Sequence, residues 1–74
     1  MEEFKDKIEE YFFLSSAGEI YDNIIRRVEK DIIERSLERS YGNQILAAKI
    51  LGLNRNTLHS KVKKLNIDVE RFKR

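Results

Sequence analysis

Seventy-four residues without a cysteine make one small domain and exclude disulfides and thiolate metal sites. A single core of this size is marginal, so a monomer would need a staple or a partner. The net charge of +2 conceals a gradient: residues 1–40 carry seven Lys/Arg against eleven Asp/Glu, a balance of −4, and residues 41–74 carry eight against two, a balance of +6. The absence of Pro and the presence of only three Gly favour long uninterrupted helices, so the expected fold class is all-α. The longest apolar run, Tyr11-Phe12-Phe13-Leu14, is far short of a membrane span. The acidic start MEEFKDKIEE lacks a secretory signal pattern, and a reducing, cytoplasmic setting is expected.

Residues 3–14 read as an amphipathic helix, with Phe4, Ile8, Tyr11 and Phe12 on one face and Phe13 and Leu14 widening it. So much apolar area on one short helix calls for burial against something. A membrane surface fits poorly, because the polar face is acidic and anionic lipid would repel it. Ser15-Ser16-Ala17-Gly18 is a break, and either serine is able to cap a helix beginning near Gly18 or Glu19. Residues 19–40 form the longest helical pattern. Its apolar positions, Ile20, Tyr21, Ile24, Ile25, Val28, Ile32, Ile33 and Leu37, occupy more than one face, which implies two burying surfaces. Two copies of this helical pair would complete a four-helix bundle. The expected homodimer interface is therefore Phe4, Ile8, Tyr11 and Phe12 with Ile20, Tyr21, Ile24, Ile25 and Val28. Residues 1–40 are assigned to dimerisation. Charge pairs along the second helix, such as Asp31 with Arg35, are worth tenths of a kcal/mol at roughly this spacing and carry no functional reading.

Residues 42–65, GNQILAAKILGLNRNTLHSKVKKL, organise the rest of the chain. The pattern is two short helices meeting at a tight corner. Asn43 caps the first, on which Ala47, Ala48 and Leu51 share a side. The two alanines imply a close approach by another backbone. Gly52 provides the left-handed exit, Leu53 plugs the corner, and Asn54 caps the second helix, Arg55 to Lys64. Leu58, Val62 and Leu65 form the buried stripe of that helix. Asn56, Ser60, Lys63 and Lys64 lie roughly opposite, flanked by Arg55, Thr57, His59 and Lys61.

A polar helix face rich in lysine is most often only a solvated face. Here two capped helices, a Gly corner of helix-turn-helix length and the charge gradient coincide. Such a motif places its second helix in the major groove of double-stranded DNA. Arg pairs with guanine and Asn with adenine on base edges, Thr offers a methyl to thymine, and lysines suit phosphates. The lone His59 is no metal site, because nothing else supplies ligands, so it is either a base contact or a solvated side chain. No catalytic constellation, metal site or cofactor motif is evident, and there is no Walker A loop.

The string GNQxxAAxxLGxNRxTLxxKxKKL at Gly42 to Leu65 resembles the Fis-type helix-turn-helix, the module of the nucleoid protein Fis and of NtrC-like activators of sigma-54 RNA polymerase. IYDNIIRRVEKDIIERSLERSYGNQ, Ile20 to Gln44, is similar to the long helix leading into it. The resemblance covers about residues 4–67. It implies a four-helix Fis-like fold, with the helix-turn-helix over 41–67 and interlocked N-terminal helices in a homodimer. It also implies reading helices closer than one DNA turn, so that the duplex bends and uncontacted steps matter. By resemblance, Arg55 contacts a major-groove guanine, Thr57 the backbone, Lys61 a phosphate, Asn54 caps and reaches a phosphate, and Asn43, beside Gln44, faces the backbone. His59 and Ser60 stand where Fis has basic residues, which suits a site-specific activator. Asn66 replaces a frequent Gly and equally tolerates the left-handed exit, with Ile67 folding back onto the core. Val69 to Arg74 is read as a frayed or partly helical basic tail, more often a disordered end, with phosphate contact by Arg71, Lys73 and Arg74 as the alternative.

The first helix pattern begins almost at Met1, leaving no room for the extra N-terminal arm of Fis. The expectation is therefore the enhancer-binding domain of an NtrC-like activator, whose other domains would be an AAA+ ATPase and a receiver. A free-standing Fis-like DNA-bending protein is the alternative. A helical dimerisation module whose basic end binds protein is a further one.

Overall fold

The structure is a computed structural model and describes residues 2–74. Four helices follow one another: α1 (Glu2–Leu14), α2 (Ile20–Arg39), α3 (Gln44–Leu51) and α4 (Arg55–Lys64). A 3₁₀ turn spans Val69–Phe72. No strand occurs among the described residues. The all-helical, Fis-like architecture expected from the sequence is the one observed.

Local chemistry explains the boundaries. Glu2 and Glu3 occupy the first turn of α1, where carboxylates offset the positive end of the helix dipole. Neither Ser15 nor Ser16 caps α2. The N-cap position is held by Glu19, which makes no side-chain cap bond, and Ser15 Oγ instead accepts from Asn23 Nδ2 at 3.1 Å. The chain leaves α2 through Tyr41 (φ 54°) and Gly42 (φ 81°), with the Gly42 N–H donating to the Leu37 carbonyl at 2.8 Å. Asn43 then caps α3, its Oδ1 accepting from Leu46 N at 3.1 Å, and Asn54 caps α4 by accepting from Asn56 N at 2.8 Å.

Both short helices end by the same device. Gly52 has φ 74°, and Leu53 N donates to the Ala48 carbonyl at 2.9 Å. Asn66 has φ 55°, and Ile67 N donates to the Val62 carbonyl at 3.0 Å. Each left-handed residue reverses the chain and returns the next apolar side chain to the core.

The core is small and lies at one end. Ile33 and Leu37 of α2 meet Ala47 and Ala48 of α3, Leu58 and Val62 of α4, and Leu65 and Ile67 beyond it. Ala47 and Ala48 are buried, as a close helix crossing demands. Ser36 and Ser40 are also buried. Their hydroxyls donate to the carbonyls of Ile33 (2.8 Å) and Leu37 (3.3 Å), so neither leaves an unpaired group inside. The C-terminal segment departs from expectation. Val69 and Phe72 pack against the core, Asp68 Oδ1 accepts from Glu70 N at 3.1 Å, and Arg71 pairs with Glu34 of α2 at 3.5 Å. Apolar residues at i and i+3 hold down a segment whose basic composition reads as a loose end.

The N-terminal half is built differently. No residue of α1 is buried. Phe13 is 89% exposed, and Phe12, Leu14 and Tyr21 are also more than half exposed. Phe4, Ile8 and Tyr11 of α1 face Ile24, Val28 and Ile32 of α2 across an open apolar cleft.

Candidate nucleic-acid interface

The orientation of α4 follows from its stripe. Leu58, fully buried, and Val62 anchor one side of the helix in the core. Arg55, Asn56, Thr57, His59, Ser60, Lys63 and Lys64 consequently stand exposed on the others. The Asn54 cap fixes where the helix starts, so the first-turn side chains lead at its exposed end. That exposed, cationic side has the dimensions and chemistry of an element that enters a major groove.

Two flanks border it. On one, an open cleft of about 600 Å³ is lined by Asn43 and Gln44 at the start of α3 and by Arg55, Asn56 and His59 of α4. His59 Nδ1 and Gln44 Oε1 are 3.1 Å apart, a hydrogen bond with the ring nitrogen as donor. The contact links the start of α3 to α4 at the surface. On the other flank, Thr57, Ser60, Lys61 and Lys64 share a shallow depression. Lys64 also borders a cleft with Glu19, Asp22 and Glu29 of α2.

Lys61 is placed differently from Lys63 and Lys64. Its Nζ pairs with Glu29 Oε2 of α2, and the side chain is only 34% exposed. The amine that the sequence reading sets on a phosphate is, in the unbound chain, paired within the protein at a partly exposed position. The reason is geometric: Lys61 is on the α2-facing flank of α4, three residues after the buried Leu58. Lys63 and Lys64 are free of any such pair among the described residues.

Sequence reasoning missed Tyr41 and favoured a disordered end for Lys73 and Arg74; all three line the cleft beside Arg55. The Arg74 guanidinium lies 5.2 Å from the centroid of the Tyr41 ring. The available signal was the Val69/Phe72 spacing with Gly42 upstream. A Cβ at Gly42 would stand 2.6 Å from Lys73 Cγ and 3.3 Å from the Val69 carbonyl oxygen, so the tail seats against that glycine. Among the described residues no cluster of three metal-ligating side chains occurs, and no helix is long and apolar enough to cross a membrane.

Comparison with known proteins agrees with this geometry. Residues 24–65 match the family described as "Bacterial regulatory protein, Fis family". The "DNA-binding transcriptional regulator NtrC" of Azospirillum brasilense is 52% identical over 52 residues, 70% of this chain and 11% of that protein. The protein of the same description from Rhizobium meliloti (strain 1021) is 44% identical over 55 residues, 74% of this chain and again 11% of its own length. The chain thus spans about a tenth of the curated relatives it matches. No solved structure matches it. The matched residues run from the middle of α2 to the end of α4, the sealed core and its outward helix, and the chain belongs to the Fis family of bacterial regulatory proteins.

Proposed function

We propose that this chain binds double-stranded DNA sequence-specifically as a homodimer, as the enhancer-binding domain of an NtrC-like activator. One observation carries the reading: α4 turns Leu58 and Val62 into the core and leaves a polar, cationic side with nothing over it. In this reading Arg55 and Asn56 meet base edges, with Thr57, His59 and Ser60 beside them. Lys63, Lys64 and the capped starts at Asn43, Gln44 and Asn54 hold phosphates. The free backbone N–H groups at a helix start favour an anion. Lys61 must leave Glu29 to reach a phosphate, so its share is small.

Dimerisation is supported by the uncovered apolar face of residues 1–40. Phe4 and Phe12 of α1 and Tyr21 and Ile25 of α2 are all exposed. Ile8, Tyr11, Ile20, Ile24 and Val28 lie half-buried beside them. A second copy would cover both sets and set two α4 helices against a two-fold site. Residues 41–67 then form the DNA-reading unit, with 68–74 as a basic appendage. The longer relatives make room for the remaining parts of this reading: an AAA+ ATPase, a receiver domain and engagement of sigma-54 RNA polymerase.

Selection of bound duplexes from a random pool tests the proposal. A two-fold symmetric consensus is expected, with affinity falling steeply as salt rises. Recovery of no preferred sequence, or retention insensitive to salt, would overturn it.

A further inference from the structure

We infer that the C-terminal turn adds a phosphate site to the reading helix: Lys73 and Arg74, docked beside Arg55 and His59, grip one backbone phosphate of bound duplex. The inference rests on the DNA-binding reading and deepens it, because residues 66–74 lie outside the matched family region, 24–65.

The tail is placed rather than trailing. Val69 and Phe72 pack on the core, Arg71 pairs with Glu34 of α2, and Lys73 N donates to the Glu70 carbonyl at 3.1 Å. Lys73 crosses directly over Gly42, where any side chain would collide with it. Arg74 is steered by the Tyr41 ring. These restraints bring two cations to the rim of the cleft that Asn43, Arg55 and His59 line. Lys73 has one competitor, Glu70 Oε1 at 3.3 Å. Both partners are more than half exposed, so the pair is weak and its amine exchanges readily. Arg74 makes no salt bridge among the described residues. A phosphate following the base read by Arg55 would meet two cations on the flank of α4 opposite Lys61. The required acidic counterpart, polyanionic and running past the start of the reading helix, is a duplex backbone.

The test compares salt dependence of duplex affinity for the parent chain, for Lys73→Gln/Arg74→Gln and for the charge-matched Lys5→Gln/Lys7→Gln on α1. Neither tail substitution touches Val69 or Phe72, so the packed segment is preserved. The tail variant is expected to bind all duplexes more weakly, to keep the parent's base preference, and to show a log–log salt slope shallower by about 0.9, one phosphate's worth. The α1 variant should keep the parent's slope. Equal slopes for the tail variant and the parent, or equal loss in both variants, would overturn the site. Saturable binding of inorganic phosphate alone at Lys73 and Arg74, with duplex affinity unchanged by their substitution, would reassign the cleft to a free anion. A parent chain that binds no duplex would defeat the DNA-binding reading itself, and the two failures are thus separable.

Discussion

The two ends of α2 live in different surroundings. Its C-terminal turns bury Ile33, Ser36 and Leu37 against α3 and α4. Its N-terminal turns, with α1, bury nothing completely and leave Tyr21 and Ile25 in solvent. The N-terminal half holds more apolar side chains (Ile20, Tyr21, Ile24, Ile25, Val28) than the C-terminal half (Ile32, Ile33, Leu37), so hydrophobicity alone does not decide which end is buried. What differs is the supply of covering surface. The C-terminal end is closed by elements of the same chain, including the small Ala47 and Ala48 that allow a close crossing. The N-terminal end has only one helix to cover it. The helix-turn-helix is thus closed within one chain, while the helical pair below it leaves its apolar face uncovered.

The largest effect that should separate the two regions comes from the sealed core. Leu58→Ala removes a fully buried side chain and is expected to cost about 2–5 kcal/mol by denaturant unfolding. Phe13→Ala, on an 89% exposed residue, should change monomer stability by roughly 0.5 kcal/mol or less. A loss of similar size at both would mean that the contrast does not describe the folded chain. On the open side, Phe12→Asp should convert the proposed dimer to monomer in sedimentation while circular dichroism keeps the helices. A dimer that survives it would remove α1 from the interface.

Next in size is the reading helix. Arg55→Ala is expected to weaken the selected site by about 1–3 kcal/mol and to relax choice at one position, seen as a changed base profile. An unchanged profile would take Arg55 off the base edges. Gly42→Ala should cost about 1–2 kcal/mol, because a left-handed Cβ is strained there and Lys73 stands in its way. Proteolysis of the C-terminal turn should accelerate with it. If thermal stability falls and the turn stays protected, only the backbone strain is at work.

The contrast also explains what the sequence disclosed. Periodicity and capping residues locate α1 to α4, because Asn43, Asn54, Gly52 and Asn66 each act within one turn of themselves. The core stripe Leu58–Val62–Leu65 is legible for the same reason. Long-range pairings are not. Nothing local to Lys61 announces Glu29, 32 residues earlier. In VERFKR the Val69/Phe72 spacing hints at packing but does not point to Gly42 as the residue that makes room for it. The two serines at the first turn mislead in the opposite sense, offering caps that the chain does not use.

The smallest expected effect tests that long-range pairing. If Lys61 serves chiefly to tie α4 to α2, Glu29→Gln and Lys61→Ala should each lower stability by at most about 1 kcal/mol, and the double variant should lose no more than either alone. On duplex affinity the two should differ in sign. Glu29→Gln frees the amine and removes an anion from the α4 flank, so binding should hold or tighten. Lys61→Ala should weaken all duplexes equally and by less than Lys63→Ala, because the Lys63 amine has no partner to leave among the described residues. Equal losses for Lys61→Ala and Lys63→Ala at low salt would mean that the Glu29 contact gives way as soon as DNA arrives. The pair would then be a resting arrangement of the unbound surface rather than a brace within it.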